Sequence, residues 1–294
     1  MRIGLLALIS GLGLAACQPL PAPPETVAGP VAPESGPDRA QSWWVPIRPY
    51  ANQDTTFLLE TRLYRPPGPG PFPLVTINHG VPNDKRFLRM TEPGFEAAAH
   101  WWVGQGYVVA VPLRRGVGRS QGEFADNHED CTVEDFVSGA YVAAADIKGV
   151  AAYLNQQPFV DPHHIIIVGN SVGGFGALAV AADPPPGVTA VINFSGGLGG
   201  FAKGTICGGE ASLIETARQL GLRAKLPTLW LYAANDQYFG AVARPMFEAY
   251  HAAAKPPASF VALPPFSYDG HATLYRADPT VWASAVTAFL ARLH

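Results

Sequence analysis

Short unbroken apolar runs alternate along this chain with longer segments that are apolar on one side, and that alternation sets the expected elements. Pro73–Asn78, Gly106–Pro112, His164–Val168, Val188–Phe194, Leu226–Ala233 and Ser259–Leu263 read as buried strands. Between them, Phe95–Val103, Asp135–Asn155, Phe175–Ala182, the region of Leu213–Leu220, Val242–Ala254 and Pro279–Leu293 read as helices. Trp43–Leu63 instead alternates apolar with polar residues. This predicts an antiparallel opening with separate strands at Thr55–Leu59 and Thr61–Tyr64. Arg65–Pro71 and Asp183–Gly187 are Pro/Gly breaks. Strands that alternate with helices imply right-handed crossovers, a mainly parallel sheet covered on both faces, and ligands bound at the carboxyl ends of the strands.

Composition narrows this picture to a single catalytic domain. At 294 residues, 48% hydrophobic and 15% charged, the chain can bury one large core. A net charge of -3, without a Lys/Arg cluster, excludes the basic field that nucleic-acid binding needs. The ends change the picture more. Met1-Arg2 and the apolar run Ile3–Ala16 have the form of a signal peptide, too short to span a bilayer comfortably. Leu14-Ala15-Ala16-Cys17 resembles the bacterial lipobox, which implies removal of residues 1–16, a lipid on Cys17 and export. Gln18, in place of aspartate, implies the outer membrane facing the periplasm. Residues 17–41 carry seven of the chain's prolines in their Pro19–Pro37 stretch and read as a tether before a catalytic domain at 42–294. In an oxidising compartment Cys131 and Cys207 form an even pair, and a disulfide between them is expected; two free thiols are the alternative.

The candidate chemistry lies in four stretches. His164–Gly174 runs a buried strand into Gly169-Asn170-Ser171-Val172-Gly173, a Gly-x-Ser-x-Gly turn that would lift the Ser171 hydroxyl above the sheet edge as a nucleophile. The Val172 amide, at the start of the next helix, then points at developing negative charge. His79-Gly80-Val81-Pro82 follows an early strand, and the Val81 amide is the candidate second donor to an oxyanion. Asn235-Asp236 and Asp269-Gly270-His271 follow later strands, giving the chain order nucleophile, acid, histidine. Asp269 is the rival acid. Asp236 is preferred because it follows a full strand, whereas Asp269 stands two residues from His271 and reads as a loop former.

Other motifs carry less. Gly116-x-Gly118 lacks a Walker lysine and a helix start, which argues against a phosphate loop. Among Arg114, Arg115 and Arg119, Arg114 and Arg115 are candidates to bind a substrate carboxylate, with a structural ion pair as the alternative. His163 and His164 face opposite ways in an extended segment and cannot share an ion, so neither a metal nor a cofactor is expected. Tyr238 and Phe239 are candidate substrate-binding residues. Trp101, Trp102 and Trp230 could join them in an aromatic pocket or pack the core.

From about Leu63 onward these motifs together resemble the α/β-hydrolase superfamily. Ile77–Gly80, the Arg115–Ser120 loop, Gly169–Gly174, Asn235-Asp236 and Asp269–His271 are similar to dienelactone hydrolases and to the catalytic domains of prolyl oligopeptidase-type peptidases. Dienelactone hydrolases proper use a cysteine where this chain has Ser171. The resemblance implies an α/β-hydrolase fold without a large lid. It also implies acyl transfer to Ser171, with His271 as base, Asp236 orienting it, and Val172 and Val81 as oxyanion donors. The expected partners are a small-molecule ester and, through Cys17, a membrane. A peptidase or amidase, or a non-catalytic binding lipoprotein on the same frame, are the alternatives.

Overall fold

A computed structural model describes residues 27–50, 52, 54–81, 88–90, 94–124 and 135–293. Cys17, Cys131 and the expected signal peptide lie outside these residues. The strands are β1 (Gly29–Pro30), β2 (Gln41–Ile47), β3 (Phe57–Tyr64), β4 (Phe72–Asn78), β5 (Val108–Pro112), β6 (Val160–Asn170), β7 (Val188–Phe194), β8 (Gly200–Ala202), β9 (Thr205–Ile206), β10 (Thr228–Ala233) and β11 (Ala258–Leu263). The helices are α1 (Glu96–Gly104), α2 (Phe136–Leu154), α3 (Val172–Ala182), α4 (Glu210–Arg223), α5 (Gly240–Ala253), α6 (Thr273–Arg276) and α7 (Ala283–Leu290).

Nine strands form one sheet in the order β1-β2-β3-β5-β4-β6-β7-β10-β11. From β5 to β11 neighbouring strands are parallel, and β1, β2 and β3 add an antiparallel edge. The unbroken apolar runs are explained by cover on both sides. In β6, Ile165 and Ile167 turn toward the helices α2 to α5, while Ile166 and Val168 turn toward α1 and α7. Every residue of α3 is buried, because it runs beneath α2 and α4 as well as on the sheet.

Three expectations are corrected. The two short strands predicted around Glu60 are one strand, β3. Glu60 stays in the ladder because its buried carboxylate binds Arg119 at 2.5 Å and its amide donates to Ser120 Oγ at 2.9 Å. The C-terminal helix is interrupted: a 3₁₀ turn at Pro279–Val281 precedes α7, with the fully buried Trp282 between them edge-on to Trp101 and Phe194. The described part of the tether is folded onto the domain. Gly29 and Pro30 pair with Trp44 and Trp43, and Glu34 is bridged to Arg39 and Arg65. Proline is compatible with this placement because β1 is an edge strand, where a missing N–H breaks no ladder.

Candidate active site

Ser171 takes the strained backbone expected of a serine between a strand and a helix. Its φ of 57° and ψ of -124° lie where a side chain normally costs about 1–3 kcal/mol. Close packing enforces this turn. A Cβ on Gly169 would sit 2.1 Å from the Gly173 carbonyl oxygen and one on Gly173 2.3 Å from the Asn78 carbonyl oxygen, so both outer positions of the motif must be glycine for α3 to pass over β6 and β4. Val172 opens α3 and is 5% exposed, and the first amides of a helix have no partner within it.

The loop after β4 is fixed from below. The fully buried His79 ring accepts the Arg114 amide on Nε2 at 3.0 Å, so its proton lies on Nδ1, which donates to the Gly80 carbonyl at 2.6 Å. Burial, then the Arg114 charge, hold the His79 pKa down at about 3, so the ring is neutral at pH 7. In a trans peptide the N–H opposes the C=O, so the Val81 amide points away from His79. Gly80 passes directly against Ser171: a Cβ there would lie 2.5 Å from Ser171 Cβ. His79 therefore fixes the orientation of the Val81 amide.

The acid and histidine come from β10 and from the loop after β11. His271 Nδ1 lies 3.2 Å from both Asp236 carboxylate oxygens. Asp236 Oδ1 also accepts the Tyr238 and Phe239 amides at 2.9 and 3.1 Å. Burial works against its charge, but His271, the Phe239 amide and the Ser195 hydroxyl outweigh it, and the carboxyl sits below its ordinary value. Asp269, the rival acid, instead accepts the His271 and Gln237 amides at 3.0 and 3.2 Å and shapes the loop. That loop is clasped to the end of β10. Asn235 Oδ1 accepts the Phe266 amide at 2.8 Å, its Nδ2 donates to the Phe266 and Ser267 carbonyls, and its own carbonyl takes the Gly270 amide at 3.1 Å.

Sequence reasoning missed Ser195 and the clasp. Ser195 is buried at the end of β7, between the strands that carry Ser171 and Asp236, and has a φ of 47°. Its signal was available: in Asn193-Phe194-Ser195-Gly196-Gly197, as at Ser171, a serine closely followed by two glycines ends a buried strand. The candidate arginines are otherwise employed. Arg115 pairs with buried Asp146 at 2.6 Å and meets the Tyr50 hydroxyl, so its guanidinium is committed to the core, and Arg114 is 1% exposed. Trp102 and Trp230 are core residues and Trp101 packs between Trp102 and Trp282, whereas Tyr238 and Phe239 hold their rings 4.8 and 5.6 Å from that of His271. Cys207 is buried and is not a free thiol. Among the described residues no group of three or more His, Cys, Asp or Glu is placed to hold a metal ion, and no helix is long and apolar enough to cross a membrane.

The strand order, with its parallel centre, antiparallel edge and serine turn at the end of a central strand, is that of the α/β-hydrolase fold. An esterase from Pyrococcus furiosus is similar with a TM-score of 0.59 and 16% identity, over 92% of this chain and 98% of that one. Acetyl xylan esterase 1 from Thermoanaerobacterium gives 0.58 and 16% over 90% and 89%, and a dienelactone hydrolase from Anabaena variabilis gives 0.53 and 18% over 85% and 96%. No curated protein matches the chain in sequence. Residues 54–220 match the X-Pro dipeptidyl-peptidase (S15) family, and the chain belongs to that family.

Proposed function

We propose that the protein is a serine hydrolase that cleaves carboxylic esters through an acyl-enzyme on Ser171. The observation that carries this reading is the pairing of His271 with Asp236 at the same sheet edge as the strained Ser171. His271 takes the Ser171 proton as the hydroxyl attacks the ester carbonyl, and returns it to the departing alkoxide; water then repeats the sequence on the acyl-enzyme. Asp236 orients the imidazole and stabilises its charged form. The Val172 and Val81 amides receive the oxyanion, each worth about 10²- to 10³-fold in rate by analogy with other oxyanion donors.

The family match favours a second reading, an X-Pro dipeptidyl peptidase. Such an enzyme must hold a substrate ammonium with a free carboxylate. Among the described residues, Asp236 and Asp269 beside the site are both committed to His271 and its neighbouring amides, which favours the esterase reading. Parallel assays with p-nitrophenyl acetate and glycyl-prolyl-p-nitroanilide separate the readings. Faster turnover of the ester, lost in Ser171→Ala, is expected; preference for the anilide would move the protein to the peptidases. The proposal extends to a lipid on Cys17, anchoring at the outer membrane facing the periplasm and a Cys131–Cys207 bridge. Intact mass of the mature protein from its native host, before and after reduction and alkylation, tests all but the choice of membrane.

A further inference from the structure

Large apolar side chains are mostly buried here, yet Tyr268 is 69% exposed and stands three residues before His271. Its backbone is not loose. Gln237, the neighbour of Asp236, donates its side-chain amide to the Tyr268 carbonyl, while Asn235 pins Phe266 and Ser267 on one side and Asp269 pins His271 on the other. Two cations meet this ring. Arg276 Nη1 donates to the Tyr268 hydroxyl at 3.2 Å, and Lys203 Nζ lies 5.5 Å from the ring centroid. Lys203 belongs to the β8–β9 hairpin, which is fastened to the same Gln237 through the Gly204 amide at 2.8 Å. Tyr275, 41% exposed, continues the aromatic surface under Arg276. Among the described residues the carboxylate facing Lys203 is that of Asp269, whose Oδ2 lies 3.5 Å from Nζ while its Oδ1 accepts the Gln237 and His271 amides.

An exposed ring on a fixed loop beside the general base, with one cation at its hydroxyl and another over one face, leaves its other face to a flat anion. We infer that Tyr268, Lys203 and Arg276 form a leaving-group subsite for esters whose departing alcohol is a phenol bearing a carboxylate. The inference deepens the esterase reading and rests on it. The leaving oxygen takes its proton from His271, so the departing ring passes next to this loop. There it stacks on Tyr268 while its carboxylate meets Lys203 and Arg276.

The test compares 4-acetoxybenzoate with its uncharged methyl ester, as the ratio of their kcat/KM values at low ionic strength. Taking the ratio across variants cancels the difference in intrinsic ester reactivity. Exposed ion pairs are weak, so the ratio is expected to fall about 3-fold in Arg276→Gln and in Lys203→Gln, and about 10-fold in the double variant. Added salt should erode it in wild type. Tyr268→Ala is expected to lower kcat/KM for both esters by about 5-fold, mainly through KM. A ratio unmoved by the three charge-removing variants and by salt would overturn the subsite while leaving the esterase intact. Absence of p-nitrophenyl acetate turnover and of fluorophosphonate labelling would instead remove the esterase, and the subsite with it.

Discussion

Around Ser171 the backbone has no space to move, whereas around His271 it is held open by hydrogen bonds. On the nucleophile side, Gly80, Gly169 and Gly173 bring three pieces of main chain within a distance that no Cβ can share. On the acid–base side, Asn235, Gln237 and Asp269 tie two loops together with side-chain bonds to the main chain, and the loop between them presents Tyr268 to solvent. The first arrangement suits a group that must stay strained and fixed while an oxyanion forms beside it. The second suits a base that must rock between nucleophile and leaving group and must border a substrate-shaped surface. Steric constraint should fail sharply on substitution, and hydrogen-bonded constraint gradually.

The largest effect short of removing the nucleophile is expected from Asp236→Asn, which keeps the shape of the side chain but favours the wrong imidazole tautomer. Its kcat should drop by about 10⁴-fold with little change in melting temperature, by analogy with other triads. Gly80→Ala sharpens the steric half of the comparison. The new methyl meets Ser171 Cβ, so kcat should fall by about 10²- to 10³-fold, as when an oxyanion donor is displaced. Asn235→Ala probes the clasped half. Loss of its bonds to Phe266 and Ser267 should lower kcat by only about 10-fold and stability by about 1–3 kcal/mol, measured by denaturant titration. A loss as steep as that of Gly80→Ala would erase the distinction between the two halves.

The last prediction concerns stability against pH rather than turnover. Folded His79 stays neutral down to about pH 3, while the unfolded chain binds a proton there from its ordinary value of 6.5 downward. The native state therefore loses stability as pH falls through that window. In His79→Gln this loss is absent, and the stability gap between wild type and variant should narrow by about 3 kcal/mol from pH 7 to pH 4. A constant gap would mean that His79 is already charged in the fold, and the orientation of Val81 would lose its support.

The same contrast explains what could be read from the chain before its fold. Apolar runs such as Ile165–Val168 and the Gly-x-Ser-x-Gly turn are local patterns, so the parallel strands and the strand-to-helix turn at Ser171 were legible. Glycine at fixed spacing records a steric demand in the sequence itself. The clasp is different, because Asn235 and Phe266 are 31 residues apart and an asparagine or glutamine announces no particular partner. The partner of Arg115 was hidden for a similar reason: Asp146 stands 31 residues on, in α2, and looked like an ordinary helix residue. Pro-rich composition also misled. Proline forbids a central strand but permits an edge, and β1 uses that permission.

The central claim is that Ser171 is an activated nucleophile. It is tested most directly by treating the purified protein with a fluorophosphonate and locating the adduct by peptide mass spectrometry, beside folded Ser171→Ala and Asp236→Asn controls. The expected result is one stoichiometric adduct on the Ser171 peptide, absent from the first control and much slower to form in the second. Well-folded wild-type protein that takes up no label, or takes it elsewhere, would contradict the account.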